Sequence, residues 1–315
     1  MNNVQAQHTI LEPTIGKGSF GMVRLGMNNT TGELVAIKIE RKKKDVQQVL
    51  RHEYQILKHV GTTVRYWEDL LNRYMVVELL GPDLYSLFKL CGKSFSLQTT
   101  LALAVQMVSL MEHYHSRGVI HRDIKLGNYL FGYNLPHKSL SLIDFGLSKK
   151  YLVKTKDGRL VHVPYRTGCP RVGTLRSMSH HVHAGIETSC RDDMYSIGYT
   201  VIYMFVGSLP WQESDLAGKS RSERYKHIGN LKKQLTNKQL AERCCCHKCL
   251  TEGRACPFKT CIENYFDYLD RLNFADKVDY RSIIHALTEC MHRHDMNRSD
   301  TTPWDWDKYY MVIGT

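Results

Sequence analysis

The run His121-Arg122-Asp123-Ile124-Lys125-Leu126-Gly127-Asn128 is followed by Asp144-Phe145-Gly146, sixteen positions beyond Asn128. Those residue types suit phosphoryl transfer. That chemistry needs a carboxylate to accept or orient a hydroxyl proton, oxygen ligands for Mg²⁺, and cations to offset charge on the moving group. Asp123 fits the first role, Asn128 with Asp144 the metal role, and Lys125 with Lys38 the third. Chance is a poor rival for the whole constellation.

Upstream stands Gly16-x-Gly18-x-x-Gly21, then Val23. Alone this signal is weak, because glycine-rich turns often only reverse a chain. A dinucleotide fingerprint needs a strand before its glycines and a helix after them, whereas here a strand follows. The remaining reading is a hairpin lid whose backbone N–H groups approach phosphates. Val35-Ala36-Ile37-Lys38 puts a cation on a strand beneath that lid. Glu53 offers an anionic partner for Lys38, with Glu12, Glu33 and Glu40 also nearby in sequence.

The elements that must position these groups are also legible. Residues 10 to 40 read as three short antiparallel strands, 45 to 60 as a helix, and Arg73 to Leu80 as a strand stopped by Gly81-Pro82. From Ser96, a predicted N-cap, Leu97, Leu101, Ala104, Val108, Met111 and His115 share one helical face. Gly118 ends that helix and delivers the chain into the Asp123 loop. The fold class is therefore α+β and bilobal: a small antiparallel-sheet lobe with one main helix over 1–80, and a larger, mainly helical lobe over 81–315, hinged near 78–82.

The chain has 315 residues, a formal charge of +12 and ten cysteines. Its pI near 9.2 favours acidic partners. The basic residues are spread out, and the one dense run, Arg41 to Lys44, lacks interleaved aromatics, so nucleic acid is not expected. Neither an export signal nor a membrane span is legible. The expectation is a soluble monomer in the cytoplasm, with the nucleus also open to it, and cysteines kept as thiols.

The chain resembles the casein kinase 1 family of protein serine/threonine kinases over nearly its whole length. Carrying the resemblance are Ile15 to Gly21, Glu78-Leu-Leu-Gly-Pro-Asp-Leu84, Phe95-Ser-Leu97, Leu142 to Leu147, Lys149-Lys150-Tyr151, His162 to Arg166, and Gly207-Ser-Leu-Pro-Trp-Gln212. Most kinases carry Ala-Pro-Glu late in the activation segment; this chain, like the family, does not, reading Ser177 to Glu187 instead. The resemblance implies a bilobal kinase fold, ATP and Mg²⁺ as cofactors, and phosphorylation of Ser or Thr near acidic or phosphorylated residues of protein substrates. It implies nucleotide contacts from Ile15, Gly16, Gly18, Ser19, Gly21, Val23, Ala36, Lys38, Glu53, Val77, Glu78, Leu80 and Asp144. A substrate anion site falls to Arg176 and Arg224, with Arg171 compensating for Cys169, where relatives place lysine. Leu126 replaces a usual proline, Glu213 and Asp215 sit in a slightly longer loop, and Val77 replaces the commoner methionine beside the adenine pocket. The competing readings are a catalytically silent scaffold and a charge-driven adaptor.

Six cysteines crowd residues 244 to 261, where about ten residues look inserted. Cys246-x-x-Cys249 has metal-knuckle spacing, and Cys256 with Cys261, or Cys244 or His247, could complete a tetrahedral zinc set. A plain loop or a redox-sensitive patch ranks ahead of zinc.

Overall fold

Alternation between His8 and Arg41 becomes three antiparallel strands, β1 (His8–Lys17), β2 (Met22–Asn28) and β3 (Leu34–Arg41). The computed structural model describes residues 7–18, 21–43, 48–133, 139–212, 216–253, 255–294, 296 and 303–310. Helix α1 (Val49–His59) follows, then β4 (Arg65–Glu68) and β5 (Asn72–Glu78), giving a five-stranded sheet in the order β1-β2-β3-β5-β4. Ile37 packs with Trp67 and Val76 on one face of the sheet. Strand periodicity then turns Ala36 and Lys38 to the opposite face. Helix α1 buries Val49, Leu50, Glu53, Ile56 and Leu57, one helical stripe whose single charged member is Glu53.

Gly81 and Pro82 do not end strand structure as expected. They lie inside β6 (Leu80–Asp83), which pairs across a register shift with β8 (Tyr129–Gly132); β8 in turn pairs with β9 (Leu140–Leu142). An edge strand tolerates the missing proline N–H. Asp83 caps α2 (Leu84–Leu90) by accepting the N–H groups of Tyr85 and Ser86.

Helix α3 (Leu97–Ser116) starts at Ser96, whose hydroxyl accepts the Thr99 N–H. All six predicted face residues are buried, but so are Thr99, Thr100, Ala102 and Leu103, so the helix is enclosed on more than one side. It packs on α5 (Cys190–Val206), which is buried along nearly its whole length. Between them run β7 (Val119–Ile120), which pairs with β10 (Lys149–Lys150), a hairpin of β11 (Leu152–Lys154) and β12 (Leu160–His162), and the short α4 (His180–His183). Helices α6 (Arg221–Gln234), α7 (Asn237–Glu242), α8 (His247–Thr251), α9 (Pro257–Asp270) and α10 (Tyr280–His292) complete the helical part. The α+β class is as the sequence predicts.

Residues 303–310 return to the start of α3. Ser96 donates its N–H and hydroxyl to the Asp305 carboxylate at 2.5 and 2.7 Å. The rings of Trp304 and Trp306 stack at 5.0 Å and both meet Phe131, while Trp306 also meets Phe95.

Candidate active site

Gly118, at φ 75°, turns the chain out of α3 and into the loop that carries Asp123. Arg122 then adopts φ 70°, a region that disfavours any residue with a Cβ. Hydrogen bonds hold it there. The N–H groups of His121 and Arg122 donate to the two oxygens of Asp193 at 2.7 and 2.8 Å, and Arg122 Nε donates to the Leu147 carbonyl at 2.6 Å. Asp193 is buried in α5 and also meets His115 Nε2 at 3.0 Å. Burial opposes its ionisation, but bonds from His115 and the His121 backbone outweigh burial and hold its pKa below the usual range.

This anchorage sets the buried Asp123 carboxylate beside Asn128, a lining residue of the cleft. Lys125 Nζ lies 2.6 Å from Oδ2, and the Thr174 hydroxyl donates to Oδ1 at 2.6 Å. Burial pushes the Asp123 pKa up, but these two bonds bring it below the ordinary carboxylate value, so the group is an anion at neutral pH. Asn128 Nδ2 donates to the Asp123 carbonyl at 2.9 Å, which leaves the amide oxygen as its remaining donor to a cation. Leu126, buried, anchors the turn that the absent proline would have stiffened. Gly173, at φ 104°, passes so close that a Cβ there would lie 2.3 Å from the Arg122 carbonyl oxygen.

Across the cleft, Lys38 Nζ lies 2.5 Å from Glu53 Oε1, and the same oxygen accepts the Phe145 N–H at 3.2 Å. Of the four glutamates near Lys38 in sequence, the buried stripe of α1 selects Glu53. The Phe145 ring fills a slot between Tyr114 and His121, and Asp144 takes the left-handed conformation at φ 67°. Two adjoining cavities share Lys38, Glu53 and Ile143. One, about 410 Å³, is lined by Gly16, Gly18, Gly21, Val23, Asn128 and Asp144. The other, about 670 Å³, is lined by Val35, Val77, Glu78, Leu80 and Leu142. Gly21 is required by space, since a Cβ would sit 2.0 Å from the Ile39 carbonyl oxygen. Ala36 is buried opposite Val77 in the β3–β5 pairing, Ile15 is exposed beside the irregularity in β1, and Ser19 lies outside the described residues.

A family model described as protein kinase domain matches residues 10–301. The chain belongs to the protein kinase family. The cleft of this kinase fits the ATP and Mg²⁺ that its family uses: a glycine turn closed by the Gly18 N–H to the Gly21 carbonyl, a paired lysine, and two oxygen donors, Asn128 and Asp144, lining one cavity. Asn128 and Asp144 would hold the metal, and Lys38 and the glycine turn the phosphates. When bound, the nucleotide supplies the phosphoryl group and the metal offsets its charge.

Three side chains that sequence reasoning passed over hold together the segments around the Asp123 loop and residues 166–187. Asp193 is one; its signal was an acidic pair, Asp192-Asp193, inside an apolar helix. Lys232 is another, fully enclosed in α6, with Nζ bonded to the carbonyls of Leu175, Arg176 and Met178 at 3.1, 3.0 and 2.7 Å and set over the Trp211 ring. Glu187 is the third. It pairs with Lys149 at 2.8 Å and with Arg166, closing the segment where Ala-Pro-Glu is absent.

The predicted anion residues have separate partners. Arg176 lies 4.4 Å over the Tyr203 ring and, with Lys125 and Gly127, lines a cavity of about 190 Å³. Arg224 Nε donates to the Lys219 carbonyl, and Arg171 Nε to the His183 carbonyl. Glu213 and Asp215 lie outside the described residues. Of the zinc candidates, Cys261 stands apart, its thiol directed at the Ala286 carbonyl of α10 at 3.7 Å. Five positions along a helix turn a side chain about 140° from Cys256, and that rotation faces Cys261 toward α10. Among the described residues no helix is long and apolar enough to cross a membrane.

Proposed function

We propose that the chain is an active protein serine/threonine kinase of casein kinase 1 type, with residues 1–80 and 81–315 as its two lobes. The observation that carries the reading is the Asp123 carboxylate, kept anionic between Lys125 and Thr174 while Lys38 is already paired with Glu53. In this reading Asp123 accepts or orients the proton of the incoming Ser or Thr hydroxyl, and Lys125 offsets charge beside it. Lys38 orients the phosphates, and Asn128 and Asp144 hold Mg²⁺. A catalytically silent scaffold is the alternative, and the intact quartet of Lys38, Asp123, Asn128 and Asp144 speaks against it.

The family stretches and the unusual Ser177–Glu187 segment support the casein kinase 1 type. The family resemblance carries the preference for acidic or phosphorylated substrates, and the net charge and Arg176, which borders a cavity shared with Lys125, support it. Arg171 and Arg224 are the further residues that the family resemblance assigns to the anion site. The test is phosphorylation, with labelled ATP and Mg²⁺, of two peptides that differ only by a phosphoserine three residues before the acceptor. Labelling of the primed peptide, with a KM raised about tenfold in Arg176→Ala, is expected. No labelling of either peptide, nor of casein, overturns the enzyme reading; equal labelling of both removes the preference for phosphate.

A further inference from the structure

Outside the cleft, three separated segments converge on one buried point. The insert supplies Cys246 and Cys249 at the start of α8, Cys256 caps α9, and His294 follows α10. All four side chains are buried. The sulfurs of Cys246 and Cys256 are 3.8 Å apart, and a ring nitrogen of His294 lies within 4.8 Å of both. Cys249, buried one turn along from Cys246, stands next to this trio. All ten cysteines are free, so no disulfide accounts for the gathering.

We propose that Cys246, Cys249, Cys256 and His294 form a structural zinc site that staples the cysteine-rich insert to the end of α10.

Two sulfurs bound at about 2.3 Å to one tetrahedral zinc lie about 3.8 Å apart, which is the separation between Cys246 and Cys256. The Cys246-x-x-Cys249 spacing places two ligands on one tight turn, closed by the Leu250 N–H to the Cys246 carbonyl. The third sulfur is equipped for negative charge. The Cys246 N–H donates to Cys256 Sγ at 3.4 Å, which favours a thiolate there. On binding, three thiols release their protons to solvent and the imidazole binds neutral, so the ion is held by three anionic sulfurs and one nitrogen. Four protein ligands close the coordination sphere, which marks a structural rather than a catalytic metal. Cys245 is only half-buried, with its thiol on the Cys246 carbonyl, and Cys261 faces the Ala286 carbonyl; neither belongs to the set.

The test is elemental analysis of the full chain, purified without a metal-affinity tag, together with Co²⁺ uptake by the metal-stripped protein. Wild type, Cys245→Ser and Cys261→Ser are expected to carry one zinc per chain, and Cys249→Ser, Cys256→Ser and His294→Asn to lose it. Should the ligand variants fail to fold, the wild-type Co²⁺ spectrum still decides, since tetrahedral thiolate coordination gives intense visible and sulfur-to-metal bands. A wild-type chain without zinc that also takes up no Co²⁺ overturns the proposal. So does zinc retained undiminished by Cys256→Ser or His294→Asn, or lost from Cys261→Ser.

Discussion

Replacing Asp193 by asparagine separates positioning of the Asp123 loop from nucleotide binding. The carboxylate accepts at both oxygens: His121 N–H and His115 at Oδ2, Arg122 N–H at Oδ1. Asparagine keeps one acceptor oxygen and turns an NH₂ group toward a buried donor. With its oxygen at the Oδ2 site, the Arg122 N–H faces another donor and loses its partner, at a cost of about 1–3 kcal/mol. Loss of the anion beside buried His115 adds a cost of similar size, so the variant should be less stable by about 3 kcal/mol. The melting temperature then falls by roughly 5–10 °C for a domain of this size class. With that backbone bond lost, the Nε bond to the Leu147 carbonyl alone does not fix Arg122 at φ 70°, and its relaxation shifts the adjoining Asp123. A displacement near 1 Å lowers turnover about 100-fold. Lys38, Glu53 and the glycine turn stand on other elements, so KM for ATP should stay within about threefold. The assay is steady-state phosphorylation with ATP varied, run well below the melting temperature of the variant. Full kcat in a destabilised variant would refute the positioning argument, as would a loss confined to KM for ATP.

Acid should weaken the fold in two stages. Burial, and then the Lys232 charge, push His183 down to about 3, so stability is full above about 6.5, its unfolded value, and falls as pH drops below that. Burial would raise Glu187, but its bonds from Lys149 and Arg166 prevail and bring it down to about 2; that contribution is present above about 4.5 and lost as pH falls toward 2. Urea melts across this range should show both stages, with Glu187→Gln removing only the lower one; constant stability between pH 7 and 5 would contradict the account. At the nucleotide pocket, Val77 lines the larger cavity, so bulky purine-analogue inhibitors should lose about tenfold in potency on Val77→Met, and equal potency on both forms would end that reading.

The cleft was legible because its residues lie in short contiguous runs. Asp123, Lys125 and Asn128 share one loop, and Lys38 reads directly off its strand. Glu53 was legible as a candidate, but only the buried stripe of α1 selected it. What escaped depends on tertiary enclosure. Asp193 and Lys232 are charged groups inside helices, and their partners are carbonyls and N–H groups more than fifty residues away. Strand β4 is four residues long and shows little alternation, so it gave no periodic signal. Gly81-Pro82 read as a stop because proline lacks a donor, yet an edge strand needs none at that position. His294 was invisible as a companion of the cysteines, since no spacing rule links it to Cys256 thirty-eight residues earlier.

The aspartate between the two stacked tryptophans sets where this catalytic unit ends. Its carboxylate is bound to the first turn of the long helix that hands the chain on to Arg122 and Asp123. A gene fragment trimmed at residue 301, where the family match stops, would carry every residue of the cleft yet leave that helix without its acidic cap and Phe95 and Phe131 without their indole cover. For recombination or swapping between paralogues, the portable piece therefore runs through Tyr309, and a foreign tail spliced in upstream of Trp304 would have to bring its own anion and its own aromatic lid.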